Sequence, residues 1–139
     1  MIAEYQFSAA RSSLTEIVDN TWNRYLPAII KRRNAEEILV MRQDMLKDIL
    51  KSYPLRPKVF TEDDGSTTIA LDELDIAVNG TAKDEAVNGL VNELKIYAED
   101  YYSRIGLFIN STNRKQHLPY IFRIWLCKND DEIKSLLEM

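Results

Sequence analysis

The chain has 139 residues, a net charge of −4 and 45% hydrophobic residues, enough to pack one ordinary domain or two small ones and unlike a disordered chain. No apolar run approaches the roughly 20 residues of a membrane span, and the N-terminus reaches Glu4 without a basic-then-apolar leader, so a cytoplasmic protein with no membrane association is expected. A single cysteine, Cys127, excludes an internal disulfide and any cysteine-based zinc cluster.

The net charge hides an asymmetry. Residues 1–58 hold 10 Lys and Arg against 7 Asp and Glu, a net of +3, whereas residues 59–139 hold 8 against 15, a net of −7. A mildly basic first half joined to an acidic second half fits two partners, or two differently charged solvated surfaces.

Residues 4–7 read as a short strand, and Ser8 is placed to cap a following helix. Leu14, Ile17, Val18 and Trp22 recur at helical spacing and predict one buried stripe, with Arg11, Ser12 and Glu16 off it. Residues 25–32 and 36–41 are β-rich runs joined by Arg33-Asn34-Ala35, a predicted hairpin. Residues 43–51 show a helical pattern through Leu46, Ile49 and Leu50. This β-α-β-β-α unit is small, leaves apolar surface uncovered and would gain from dimerisation.

The segment Ser52-Tyr53-Pro54-Leu55-Arg56-Pro57 reads as a connector, because each proline biases its predecessor away from helix. Beyond it, Glu62-Asp63-Asp64-Gly65 is a predicted turn between strands near 56–61 and 66–71. Leu74 to Val78 is a third strand, closed by Asn79-Gly80. Thr81 with Asp84 resembles a capping box. Val87, Leu90, Val91, Leu94, Ala98 and Tyr101 mark the buried face of a helix ended by Gly106. Residues 111–127 form a helical segment divided near Pro119, and Asn129 caps a last helix over Asp130 to Leu137. The expected fold is α+β: the small β-α-β-β-α domain over 1–52, then a three-stranded sheet with a packed helix and a helical tail over 56–139.

Arg11 in the first helix and Arg32 and Arg33 at the hairpin end form a candidate nucleic-acid set, with Lys31 on the opposite strand face. Ordinary surface arginines are the competing explanation. Phe7-Ser8-x-Ala10-Arg11-x-x-Leu14, Ile30-x-Arg32-Arg33 and Ile38-Leu39-Val40-Met41, in that order, resemble the prevent-host-death antitoxin family (Phd/YefM type) over residues 1–52. The resemblance implies a dimer with a shared sheet that binds operator DNA and represses its own toxin–antitoxin operon. It implies Ser8, Arg11, Ser12, Arg32 and Arg33 as DNA-binding residues, with Arg33 matching only some members. The chain departs from many members in having Asn23-Arg24-Tyr25, with no glycine, between the first helix and second strand.

It departs again in that its remaining residues look folded, where the family uses a short segment that orders on its toxin. Glu62-Asp63-Asp64-Gly65, Leu71-Asp72-Glu73-Leu74 and Asn79-Gly80-Thr81-x-x-Asp84-Glu85-Ala86 resemble the β-β-β-α core of HicB-like antitoxins over 56–104. That likeness implies a degraded RNase-H-like module occluding a toxin, a small basic ribonuclease by charge complementarity.

Catalysis has little to work with. The lone His117 reads as a packing or hydrogen-bonding residue, Cys127 as buried and inert, and Asp63-Asp64 as a solvated turn in preference to a metal site. The polar run Asn113 to His117 reads as a solvated helix face, and the dense C-terminal aromatics divide between core and interface. No enzyme activity, cofactor or metal is expected. The function that follows is a type II antitoxin acting as a dimeric autorepressor, with dimers that could pair into tetramers. The alternative is a non-enzymatic ligand- or partner-binding module on an antitoxin-like scaffold.

Overall fold

A computed structural model describes residues 1–139. The chain divides into two compact units, Met1–Ile49 and Leu50–Met139. No helix is long and apolar enough to cross a membrane.

The first unit runs β1 (Ala3–Gln6), α1 (Phe7–Ser12), α2 (Leu14–Asn23), β2 (Ala28–Arg32), β3 (Glu36–Val40) and α3, which starts at Gln43 and ends on Leu50. The sheet order is β1-β2-β3, with β1 parallel and β3 antiparallel to β2. Register puts Tyr5, Ile30 and Ile38 on one face and Glu4, Lys31 and Glu37 on the other. Helices cover the β1 and β2 part of the first face, over a core of Ala10, Ile17 and Ala28 with Tyr5 and Ile30 against it, and leave Ile38 exposed. The hairpin forms as expected. Arg33 and Asn34 take φ of +53° and +59°, the hand that matches the right-handed twist of the strands.

Three details differ from the sequence reading. Ser8 does not cap the first helix: the strand runs straight into it, Gln6 takes the cap position and Phe7 is already helical. The helix also breaks at Ser13, although Ser13 N–H still bonds Ala9 O and Ile17 N–H bonds Ser13 O. Beside the break the Ser12 hydroxyl donates back to the Ser8 carbonyl at 3.3 Å, a contact that bends helices. Finally, the predicted stripe is not buried. Ile17 is 1% exposed, but Leu14, Val18 and Trp22 are 55%, 52% and 60% exposed. The line Ile17–Thr21 faces the sheet, and the neighbouring line Leu14–Val18–Trp22, one residue round the helix, points outward.

The second unit holds an antiparallel sheet in the order β4 (Lys58–Thr61), β5 (Thr67–Leu71) and β6 (Ile76–Gly80). Then come α4 (Lys83–Ser103), α5 (Ile105–Ile109), α6 (Thr112–Lys115), α7 (Leu118–Trp125) and α8 (Asp130–Leu137). The predicted face of α4 is inward: Leu90, Leu94 and Tyr101 are fully buried against Ile69, Leu71, Ile121 and Leu137. Asn129 caps α8, accepting from Glu132 N–H at 2.9 Å, and Pro119 sits in the first turn of α7. Gly65 closes the β4–β5 turn at φ +84°.

The third strand starts later than expected, at Ile76, because Asp72–Leu74 form a 3₁₀ turn ended by Asp75 at φ +54°. Asn79-Gly80 stays within the strand, and a Cβ on Gly80 would lie 2.5 Å from the Ala86 backbone nitrogen. Glu85, and not Asp84, reaches back to Thr81, accepting from its N–H at 2.9 Å and from its hydroxyl. Gly106 does not end α4: it lies inside α5, and the helix stops at Arg104, whose φ and ψ of −124° and 35° leave the helical region.

Candidate nucleic-acid interface

Strand β1 feeds α1 directly, so Phe7 stands at the helix entry, 45% exposed. The Arg32 guanidinium lies 5.7 Å from the centre of that ring. Arg11 is one helical turn beyond Phe7 on the same helix, exposed and without an ion pair. Ser8 and Ser12 are exposed on that helix too. Phe7 therefore links the Arg11 helix to the end of β2.

A carboxylate complicates the set. Glu36 accepts from Arg32 Nε at 2.5 Å and lies 4.0 Å from Arg33 Nη1. Its hydrogen bond and charge raise the Arg32 pKa above the ordinary value. Two guanidinium groups against one carboxylate leave a net of +1 at the hairpin end, with Arg11 unpaired on the adjoining helix. Lys31 points the other way, as strand alternation requires, between Glu37 at 3.2 Å and Glu4 at 3.4 Å. Hydrogen bonds to Glu37 and then Glu4 raise its pKa, and they leave that face without free positive charge.

No motif in the sequence marks Arg42. Its guanidinium stacks on Trp22 and Tyr25, at 3.9 and 4.2 Å from the ring centres. It donates to the Trp22 carbonyl at 2.8 Å and grips Asp44 with two bonds of 2.9 and 2.7 Å. Tyr25 takes φ +60° in the glycine-free loop, so Arg42 packs on the residue that adopts the left-handed turn.

In the second unit His117 is 2% exposed. The Arg114 guanidinium, which can only donate, bonds the Tyr97 oxygen at 3.0 Å. The Tyr97 proton then goes to His117 Nδ1 at 2.7 Å, which leaves the ring proton on Nε2, 3.5 Å from the Asp75 carboxylate. Burial pushes the imidazole pKa down, with Arg114 adding to that and Asp75 opposing it. His117 is thus the packing and hydrogen-bonding residue expected. Arg114 differs from the expected solvated face, because it turns onto Tyr97. Asp64 is occupied by Ser66, which donates through N–H and hydroxyl and lowers the carboxyl pKa. No group of three or more His, Cys, Asp or Glu is arranged to hold a metal ion. Cys127 is partly buried, its thiol 3.4 Å from the Arg123 carbonyl.

A family model described as "PHD_like: Antitoxin of toxin-antitoxin, RelE / RelB, TA system" matches residues 1–139, both halves together. No curated protein matches the chain. Among solved structures, the chain is similar to a crystal structure from Syntrophomonas wolfei subsp. wolfei, described as the antitoxin part of a proposed toxin/antitoxin system. The two share 28% identity at a TM-score of 0.84, over 97% of this chain and 96% of that one.

Proposed function

The chain belongs to the PHD-like family of antitoxins of toxin–antitoxin systems, and from that premise we propose a type II antitoxin of Phd/YefM type that works as a dimeric, DNA-binding autorepressor in the cytoplasm. The observation that carries the DNA reading is the Phe7 ring, with the Arg32 guanidinium over it and Arg11 one turn along. Guanidinium groups held this way suit phosphates and the paired acceptors of guanine. Ser8, Ser12 and Arg33 would add backbone contacts.

The exposed line Leu14, Val18 and Trp22, with Ile38 on the edge strand, supports a second copy as its cover. A twofold dimer would then offer two such ends to two operator half-sites. The second unit, with 11 Lys and Arg against 15 Asp and Glu, is net −4 and suits a basic toxin, which it would neutralise by binding. Gel shift with the DNA upstream of the chain's own reading frame tests the repressor. Arg11→Ala should weaken binding by about 1–3 kcal/mol if the contact is to a base. Unchanged affinity and specificity would remove Arg11 from the site.

A second reading, a ligand-binding module, is favoured by one feature. A cavity of about 420 Å³ between α4, α7 and α8 is walled by Tyr102, Trp125, Lys95 and Lys128. An isolated gene without an adjoining small basic reading frame would support that reading over the antitoxin.

A further inference from the structure

A groove of about 420 Å³ lies between α4 and the 3₁₀ turn before β6. Leu74, Ile96 and Tyr97 give it an apolar floor, and Asp75, Glu93 and Asp100 stand around it. Ile96 is 52% exposed, so the apolar surface is open to a visitor. The one cation lining the groove, Arg114, is committed to the Tyr97 oxygen and lies over the Tyr97 and Phe108 rings, at 5.4 and 5.9 Å from their centres. Three carboxylates against one guanidinium leave the lining at −2.

The three acids are not equivalent. Both Asp100 oxygens are held by Arg104, at 2.8 and 2.6 Å. Asp75 lies 3.5 Å from the buried His117 ring and within the field of Arg114 but forms no ion pair with it, and Glu93 forms no ion pair. Two carboxylates without an ion pair to lysine or arginine therefore border an open apolar strip. An anion would be repelled here, and a purely apolar group would strip water from the acids without replacing it. A side chain with an aliphatic stem and a cationic head satisfies both surfaces.

We propose that this groove docks a lysine or arginine side chain of the partner protein, its stem on Ile96 and Tyr97 and its charge between Asp75 and Glu93. The inference rests on the toxin-binding reading above and names the contact chemistry of that partner.

The test uses the isotope-labelled full chain, titrated with an acetylated, amidated arginine-containing peptide and with its citrulline counterpart. Amide shifts confined to residues 74–76 and 93–100, absent with citrulline, are expected. The double variant Asp75→Asn, Glu93→Gln should weaken peptide binding at least about tenfold. Both changes keep shape at exposed positions, and asparagine accepts the left-handed backbone that Asp75 adopts. Shifts of equal size at Glu62–Asp64 and Asp130–Glu132, or a double variant that binds like the parent, would overturn the assignment. So would loss of self-association in the double variant, which would give the groove to a second copy. The product of the adjoining reading frame is assayed in parallel. If it binds parent and double variant alike, the toxin reading stands and the groove assignment falls. If it binds neither, the toxin reading falls, and the peptide titration alone decides the groove.

Discussion

The Arg42 guanidinium covers the Trp22 ring at 3.9 Å and at the same time bonds the Trp22 backbone carbonyl at 2.8 Å. One side chain thus closes the C-terminal end of α2, supports the left-handed Tyr25 and engages Asp44 in α3. These are separate parts of the chain, and no local propensity joins them.

Arg42→Lys should therefore behave as a disruptive change. An ammonium cannot stack flat on two rings while forking onto Asp44. Thermal unfolding of the first unit should start roughly 5 °C lower or more, and near-ultraviolet dichroism from Trp22 should weaken. An unchanged melting profile would show that the stack contributes nothing.

Glu36 restrains the charge of the Arg32 end, so Glu36→Gln should release it. If that end meets DNA, affinity should rise, and the plot of log affinity against log salt should steepen by about one unit. Lys31→Ala, on the face closed by Glu4 and Glu37, should leave that slope unaltered. Equal responses from the two variants would place the nucleic acid elsewhere.

Gly80 meets the start of α4 at a distance no side chain tolerates, 2.5 Å from an added Cβ to the Ala86 nitrogen. Gly80→Ala should destabilise the second unit by about 1–3 kcal/mol, read as a lower urea midpoint. Gly106→Ala, with open space around its Cβ position, should be neutral or slightly stabilising.

His117 is the sole histidine, so its ring gives one resolved titration by NMR. Burial holds its folded pKa below the usual 6.5. The unfolded chain binds the proton first as pH falls. Stability from this group is therefore complete above about pH 6.5 and declines as pH drops from there toward the folded value. Asp75→Asn removes the carboxylate that favours the imidazolium, and should move the NMR midpoint to still lower pH. A midpoint at or above 6.5 in the parent would contradict the buried, neutral ring.

Much of the fold was legible where the signal is local. Arg33-Asn34 marked a turn, Asn129 a cap, and the spacing from Leu90 to Tyr101 a buried helix face. The direction of the Leu14–Val18–Trp22 line was not, because apolar spacing reports an amphipathic helix and not whether the sheet or another surface covers it. Gly106 misled for a similar reason: a glycine marks a helix end only where φ is positive, and here it is not. Within the candidate site, Arg11 and Arg32 were legible as basic residues, but the Glu36 brake and the Phe7 platform depend on strand register. The Arg114–Tyr97–His117–Asp75 chain joins two helices, the residue before a third and the residue after a turn, beyond any motif.

The ion pairs around Lys31 also make the small sheet electrically one-sided. A polyanion drifting toward it feels attraction from the helix side and none from the back. If that end meets DNA, the first unit would be turned the right way round before any contact forms, and the two glutamates flanking that lysine would favour correct encounters without ever touching what is captured.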